Sequence, residues 1–152
     1  MVRRKCCVSG GTRQRRRSAS LRETVTVRKQ YHFWPSPSGL DAWDVDRLVF
    51  LTRDFPIVEV EIAAIYEVDS EYWFDGERER ATVRRIVDHV RLIEQVEVKY
   101  PIILGHDGRV MDGMHRIARA LLEGRQTISA VQFTTHPEPD FRNCDPESLR
   151  YD

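Results

Sequence analysis

The sequence predicts one α/β (α+β) domain with a small mixed β-sheet flanked by helices. The chain has 152 residues, of which 41% are hydrophobic, and this is enough for the core of one ordinary domain. Short β-branched runs alternate along the chain with segments whose apolar residues recur at helical spacing. Because strand and helix segments are interleaved, a sheet covered by helices is expected.

Charge is distributed unevenly along the chain. Residues 1–30 hold ten lysines or arginines and one acid, whereas residues 31–152 hold fourteen and twenty-three. The basic segment has no sustained apolar period, so residues 1–37 are predicted to be a disordered extension that ends within the breaker Pro35–Gly39. It is either a nucleic-acid-contacting arm or a non-functional extension. An acidic body binds duplex phosphates poorly, so sequence-specific DNA binding is not expected.

No segment predicts a membrane or secreted protein. No run approaches the roughly 20 apolar residues that span a bilayer, and the basic N-terminus lacks the apolar segment of a secretory signal. The prediction is a soluble, cytoplasmic protein. Cys6, Cys7 and Cys144 form neither a disulfide framework nor a CxxC pair, and the histidines show no HExxH motif, so no metal site is predicted.

The first part of the acidic body predicts one helix and one strand. Apolar residues recur near helical spacing over Leu40–Leu51, with Ser38 or Asp41 as the N-cap. Pro56 ends this helix. The β-branched and partly alternating run Ile57–Ile62 predicts a strand.

A polar and aromatic connector, Glu67–Arg80, separates that strand from a second helix. Thr82 is a suitable N-cap for this helix, whose apolar face runs along Val83–Ile93. Tyr100–Leu104 then predicts a short buried strand with proline near its start. The turn residues His106–Gly108 predict a β-hairpin.

The remaining elements complete the domain. Arg109–Met111 is the return strand of the hairpin, Ile117–Leu122 is helical, and Thr127–Phe133 predicts the last strand. The domain is therefore expected to span residues 38–136, and a proline-rich, irregular tail covers residues 137–152.

Between the hairpin and the third helix lies the motif Asp112-Gly113-Met114-His115-Arg116. Glycine permits a tight turn, and the first amides of the following helix form an anion site with the positive end of its dipole. His115 and Arg116 add donors suited to phosphate oxygens. Asp112 would have to cap an amide, coordinate a metal or orient a hydroxyl. The alternative is an ordinary strand-to-helix turn capped by Asp112.

The second helix carries two basic side chains on one side. Arg85 and His89 are four residues apart, next to the apolar face. They are candidates to converge with His115 and Arg116 on one anion. The alternative is a solvated arginine beside a partly buried histidine with satisfied hydrogen bonds. In the connector, Tyr72-Trp73-Phe74 either anchors the small core or stacks on a base or sugar.

From Val58 to Phe133 the order of elements and the DGxHR turn resemble the ParB N-terminal/sulfiredoxin superfamily. The resemblance implies a ParB/sulfiredoxin-like fold in which the turn and the preceding helix hold nucleotide phosphates. The implied ligand is a nucleoside triphosphate, ATP or CTP, with Mg²⁺ bridging the phosphates. The residues that carry this role over lie in the turn and on the second helix: Asp112, Gly113, Met114, His115, Arg116, Arg85 and His89.

The chain also departs from the superfamily pattern. Met114 stands where sulfiredoxins have their cysteine nucleophile, so sulfinic acid reduction is not expected. ParB proteins have an arginine-rich GERRxRA box at this turn and a downstream helix-turn-helix domain. Here the sequence ends about twenty residues after the last predicted strand, so DNA recognition by that route is not expected.

The turn is most similar to that of free-serine kinases of the superfamily, which use an acidic residue after the first strand as base. This implies phosphoryl transfer to a small hydroxyl-bearing substrate, with His115 at the phosphates and an acid of the connector as base. Asp69 is the first candidate, followed by Glu71 and Glu67. The alternatives are a nucleotide-responsive binding module without turnover and a nucleic-acid accessory protein acting through the basic arm.

Overall fold

The computed structural model describes residues 29–74, 76 and 79–151, and in them strands and helices alternate from the first hairpin onward. In chain order the strands and α-helices are β1 (Tyr31–Ser36), β2 (Gly39–Asp44), α1 (Val45–Thr52), β3 (Val58–Glu61), α2 (Val83–Gln95), β4 (Ile102–Leu104), β5 (Val110–Asp112), α3 (Met114–Leu122) and β6 (Thr127–Gln132). Short 3₁₀ turns lie at Ile62–Ala64, Tyr66–Asp69 and Pro146–Ser148.

The main sheet has four strands in the order β3-β6-β4-β5. Strand β6 runs antiparallel to β3 and parallel to β4, and β4 and β5 form an antiparallel hairpin. β1 and β2 form a separate two-stranded sheet. The predicted α+β fold with a small mixed sheet is therefore confirmed.

Alternating residues of the short central strands divide the core into two clusters. Ile102 packs in one cluster with Ile117 of α3, and Ile103 packs in the other with Leu48 of α1. This follows from the period of two along a strand, which sends neighbouring side chains to opposite faces. Ile117 and Leu48 are fully buried, so a helix covers the sheet on each face.

The predicted helix over Leu40–Leu51 was wrong in its first five residues, which belong to β2. Residues 35–39 form the end of a β-hairpin, and helix α1 begins only at Val45. Its N-cap is Asp44, whose carboxylate accepts a hydrogen bond from the Asp46 amide at 3.0 Å, so the cap is neither of the two residues predicted. The chain stays extended because Ala42 pairs with β1 and also exchanges backbone hydrogen bonds with Phe141.

The N-terminal extension and the C-terminal tail both contact the body. Strand β1 falls within the predicted extension 1–37, of which residues 1–28 lie outside the described part. Residues of the tail 137–152 pack on the hairpin, where Tyr31 lies between the rings of Phe141 and Tyr151. The hairpin and the tail therefore stabilise each other.

Elements of the predicted domain lie close to their expected positions. The Thr82 side chain caps α2 by accepting a hydrogen bond from the Arg85 amide. Helix α3 begins at Met114, three residues before the predicted start. The apolar face of α2 is only partly covered: Ile93 is buried, whereas Val83 is 80% exposed. None of the helices in the described ranges is long and apolar enough to cross a membrane.

Gly113 joins β5 to α3 at a point where a side chain has no room. Its φ of +109° is strained for any L side chain, and an added Cβ would lie 2.7 Å from Ile102 Cγ2. We expect Gly113→Ala to lower the free energy of unfolding by about 1–3 kcal/mol or more, measured by urea denaturation. Gly124→Ala is the matched control, because Gly124 also has a positive φ (+71°) but open space around it. Equal losses in the two variants would contradict this close-packing argument.

Candidate functional site

The predicted phosphate-binding turn is the junction of β5 and α3. β5 ends at Asp112, Gly113 adopts its left-handed conformation, and α3 starts at Met114. No side chain caps the helix. The Ile117 amide donates the first helical bond, to the Gly113 carbonyl at 3.0 Å. The amides ahead of Ile117 lack intrahelical acceptors and carry the positive end of the helix dipole.

Asp112 does not cap α3 but binds Arg116. The Arg116 guanidinium donates to Asp112 Oδ2 at 2.5 Å and to the Pro101 carbonyl at 3.3 Å. Both side chains are mostly buried, with exposed fractions of 18% for Arg116 and 17% for Asp112. Arg116 Nε has no hydrogen-bond partner among the described residues. The junction therefore holds a fixed arginine with one donor still unused.

His115 faces α2 and pairs with His89. His115 Nε2 and His89 Nδ1 are 3.0 Å apart, and one donates while the other accepts. The indole of Trp73 stacks on both rings, with centroid distances of 4.5 Å to His89 and 4.9 Å to His115. Burial and the neighbouring His89 lower the pKa of His115 to about 4, and burial also lowers the pKa of His89. Both histidines are therefore neutral at pH 7.

Arg85 makes other contacts, although, besides burial, its charge is near enough to contribute to the lowered pKa of His89. Its side chain is 43% exposed and forms an ion pair with Glu79. It lines a wide groove between the connector and the C-terminal tail, together with Tyr72. Of the four basic side chains expected to converge, the structure brings His89 and His115 together, and it places Arg116 and Arg85 in other contacts.

The three candidate acids of the connector differ in their surroundings. Asp69 and Glu71 are exposed, whereas Glu67 is 6% exposed and lies in a 3₁₀ turn beside β5. Glu67 Oε1 accepts from the Val110 amide and from Arg109 Nε, each at 3.3 Å. Its Oε2 has no hydrogen-bond partner in the described part of the chain. Glu67 is thus the acid held against the strand that leads into the turn.

Tyr72 and His32 are two further aromatic side chains close enough to the junction for the charge of Asp112 to affect their pKa values. Burial and the negative charges of Glu67 and Asp112 raise the pKa of Tyr72 to about 12. His32 of β1 has its pKa lowered to about 4 by burial, against the opposing effect of Asp112. Sequence reasoning missed His32 and also Arg109, the ion-pair partner of Glu67. His32 fell in the predicted extension, and a lone arginine in a hairpin carries no distinctive signal.

Among the described residues, no group of three or more histidine, cysteine or acidic side chains is arranged to hold a metal ion. Comparison of the chain with protein-family models, with curated proteins and with solved structures found no match.

The lowered pKa values of His32 and His115 predict that the free energy of unfolding decreases at mildly acidic pH. In the unfolded chain their pKa returns to about 6.5, so the folded state binds fewer protons between pH 6.5 and 4. Stability is then complete above pH 6.5 and falls as the pH drops towards 4. For His32 we expect a loss of about 1–2 kcal/mol between pH 7 and 5, measured by urea denaturation.

His32→Gln and His115→Gln provide the comparison for this pH effect. Each variant should show a shallower decrease in unfolding free energy between pH 7 and 5 than the wild type, because one histidine no longer takes up a proton on unfolding. Parallel curves for wild type and both variants would show that other groups control the acid sensitivity.

Proposed function

We propose that this domain binds a nucleoside triphosphate, ATP or CTP, with the phosphates at the first turn of α3, and transfers a phosphoryl group to a hydroxyl-bearing substrate. The observation that carries the proposal is the uncapped start of α3 next to the buried carboxylate of Glu67. Met114, the first residue of α3, and Glu67 line the same pocket. Met114 thus belongs both to the turn proposed for the phosphates and to the pocket that contains Glu67.

Three kinds of donor support phosphate binding at this turn. The free amides of α3 attract anions through hydrogen bonds and the helix dipole. Arg116 is held beside the turn by Asp112 and supplies a guanidinium whose Nε is buried without a hydrogen-bond partner among the described residues. The His89–His115 pair, although neutral, still carries N–H donors, and a phosphate nearby would favour its protonated form.

Mg²⁺ that enters with the nucleotide would find one carboxylate at the junction, that of Asp112, which is paired with Arg116. Nucleotide sites commonly hold Mg²⁺ with one or two protein carboxylates. Asp112 is the carboxylate at the junction. When bound, the ion would neutralise charge on the phosphates, while the residues of the chain position them.

Glu67 is the acid best placed to act as general base. In the proposed step the substrate hydroxyl gives its proton to Glu67, and its oxygen forms a bond to the γ-phosphorus. The bond from phosphorus to the β-phosphate oxygen breaks, and the nucleoside diphosphate leaves. Asp69 and Glu71, favoured from the sequence, are both exposed, and Glu71 lines the pocket of Glu67 and Met114 whereas Asp69 does not.

The DGxHR resemblance to the ParB N-terminal/sulfiredoxin superfamily supports the same proposal, as an argument from motif rather than from contacts. The alternative function is a nucleotide-responsive module that binds the nucleotide without turnover, and measurement of nucleoside diphosphate release distinguishes the two. The basic arm of the nucleic-acid hypothesis falls mainly on residues 1–28, outside the described residues.

Nucleotide binding should depend on Arg116. We expect Arg116→Gln to weaken ATP or CTP binding about tenfold or more, since a charge-assisted hydrogen bond contributes about 1.5–3 kcal/mol. Isothermal titration calorimetry with Mg²⁺ present measures this effect. Arg119→Gln is the matched control, because Arg119 is also on α3 and also pairs with an acid four residues away, Glu123. Unchanged affinity in Arg116→Gln, or no binding by the wild type, would refute the proposal.

Turnover should depend on Glu67. Loss of a general base typically lowers the rate by about 10²–10⁴-fold, so Glu67→Gln should reduce steady nucleoside diphosphate release by about 100-fold or more. Asp69→Asn should stay within a few-fold of the wild type, because its side chain is exposed and does not line the pocket that holds Glu67. Tight nucleotide binding by the wild type without any release would identify the non-catalytic module instead.

A further inference from the structure

A pocket of about 460 Å³ lies between the connector and α3. Its walls are mainly aromatic and aliphatic, and the side chains that matter here are Glu67, Tyr72, Trp73, Phe74, Met114 and Leu121. Pockets of this size hold small organic ligands, and a few polar groups in mainly apolar walls fix their orientation. The pocket therefore has the size and the character of a ligand site.

Glu67 supplies the buried polar group of this pocket. Its side chain is 6% exposed, and Oε2 has no hydrogen-bond partner in the described ranges. A buried oxygen without a partner costs free energy comparable to a lost hydrogen bond. A ligand that donates one hydrogen bond to Oε2 would remove this cost.

Arg109 already compensates the charge of Glu67, and this determines which hydrogen-bond donor a ligand should offer to Oε2. Arg109 Nε lies 3.3 Å from Oε1 and forms an ion pair with Glu67. Oε2 therefore requires a hydrogen-bond donor rather than a second cation. A hydroxyl group meets this requirement without adding charge.

The other walls exclude anionic and strongly polar ligands. Glu67 and Glu71 line the pocket, and no lysine, arginine or histidine does so among the described residues. An anion would be repelled there. The hydroxyl groups of a sugar or polyol that face Phe74, Ile117 and Leu121 would find no hydrogen-bond partner on those side chains.

We propose that this pocket binds the phosphoryl acceptor, and that the acceptor is an uncharged alcohol on an aromatic or branched apolar body. The assignment rests on the proposed function for the acceptor role, whereas the pocket and its ligand class rest on the geometry described here. The hydroxyl donates to Glu67 Oε2, and the apolar body lies against Trp73 and Phe74. Met114 forms the wall shared with the start of α3, so the hydroxyl faces the phosphate site.

The test measures binding of 2-phenylethanol in the absence of nucleotide, by saturation-transfer NMR and calorimetry. Leu121→Glu places a carboxylate in the pocket wall and should raise the Kd at least tenfold. Leu122→Glu is the matched control, because Leu122 is the next residue, is 73% exposed and does not line the pocket. It should stay within twofold of the wild type. Both positions are exposed enough for the variants to fold.

Ligand analogues test the chemical class. Phenylacetate and glycerol should bind at least tenfold more weakly than 2-phenylethanol. Equal binding by phenylacetate, or tenfold tighter binding by 2-phenylethylamine, would overturn the alcohol assignment. Unchanged 2-phenylethanol affinity in Leu121→Glu would overturn the pocket assignment.

Nucleotide titrations separate this inference from the proposed function. Leu121→Glu should bind ATP or CTP as the wild type does, because the change is at the far end of α3 from the phosphate turn. If the alcohol binds in the pocket but no nucleotide binds, the phosphotransferase proposal and the acceptor role both fail. The assignment of the pocket to an uncharged alcohol then stands by itself.

Discussion

The close packing of the start of α3 on β4 sets the geometry of the candidate site. Gly113 approaches Ile102 so closely that no Cβ fits, and Ile117 is fully buried one turn later. These two contacts fix both the position and the rotation of the helix. His115 is thereby held towards α2, and Arg116 towards the Pro101 carbonyl. The site is built on regular elements rather than on a free loop, which favours a defined ligand geometry.

The charged groups at the junction are balanced in pairs. Asp112 is bound to Arg116, Glu67 to Arg109, and the stacked histidines are neutral. Half-buried charges without partners would destabilise the fold, so this pairing is what stability requires. It also means that an incoming phosphate would meet the unsatisfied helix amides and not a cluster of free cations. Nucleotide binding at such a site would rest on hydrogen-bond geometry more than on net charge.

Periodicity predicted the elements whose burial repeats regularly, and it failed where contacts distant in sequence decide. β3 to β6 and the two helices between them lie near their expected places because one face of each contacts the core. The hairpin at the N-terminal end was missed, since Ala42 stays extended through its bonds to Phe141, about a hundred residues away. The sequence likewise could not show that Glu67, and not Asp69, is the buried acid. Three acids lie within five residues, and only the 3₁₀ turn determines which of them points inward.

Trp73 contacts both halves of the proposed site, which are the His89–His115 pair and the pocket of Glu67. Its indole covers the His89–His115 pair and also lines the pocket proposed for the acceptor. Met114 likewise belongs both to the first turn of α3 and to that pocket. Phosphoryl transfer depends chiefly on positioning, because the protein contributes little covalent chemistry. The connector therefore contributes one wall to both the histidine pair and the pocket, since Trp73 contacts the two histidines and lines the pocket with Tyr72 and Phe74.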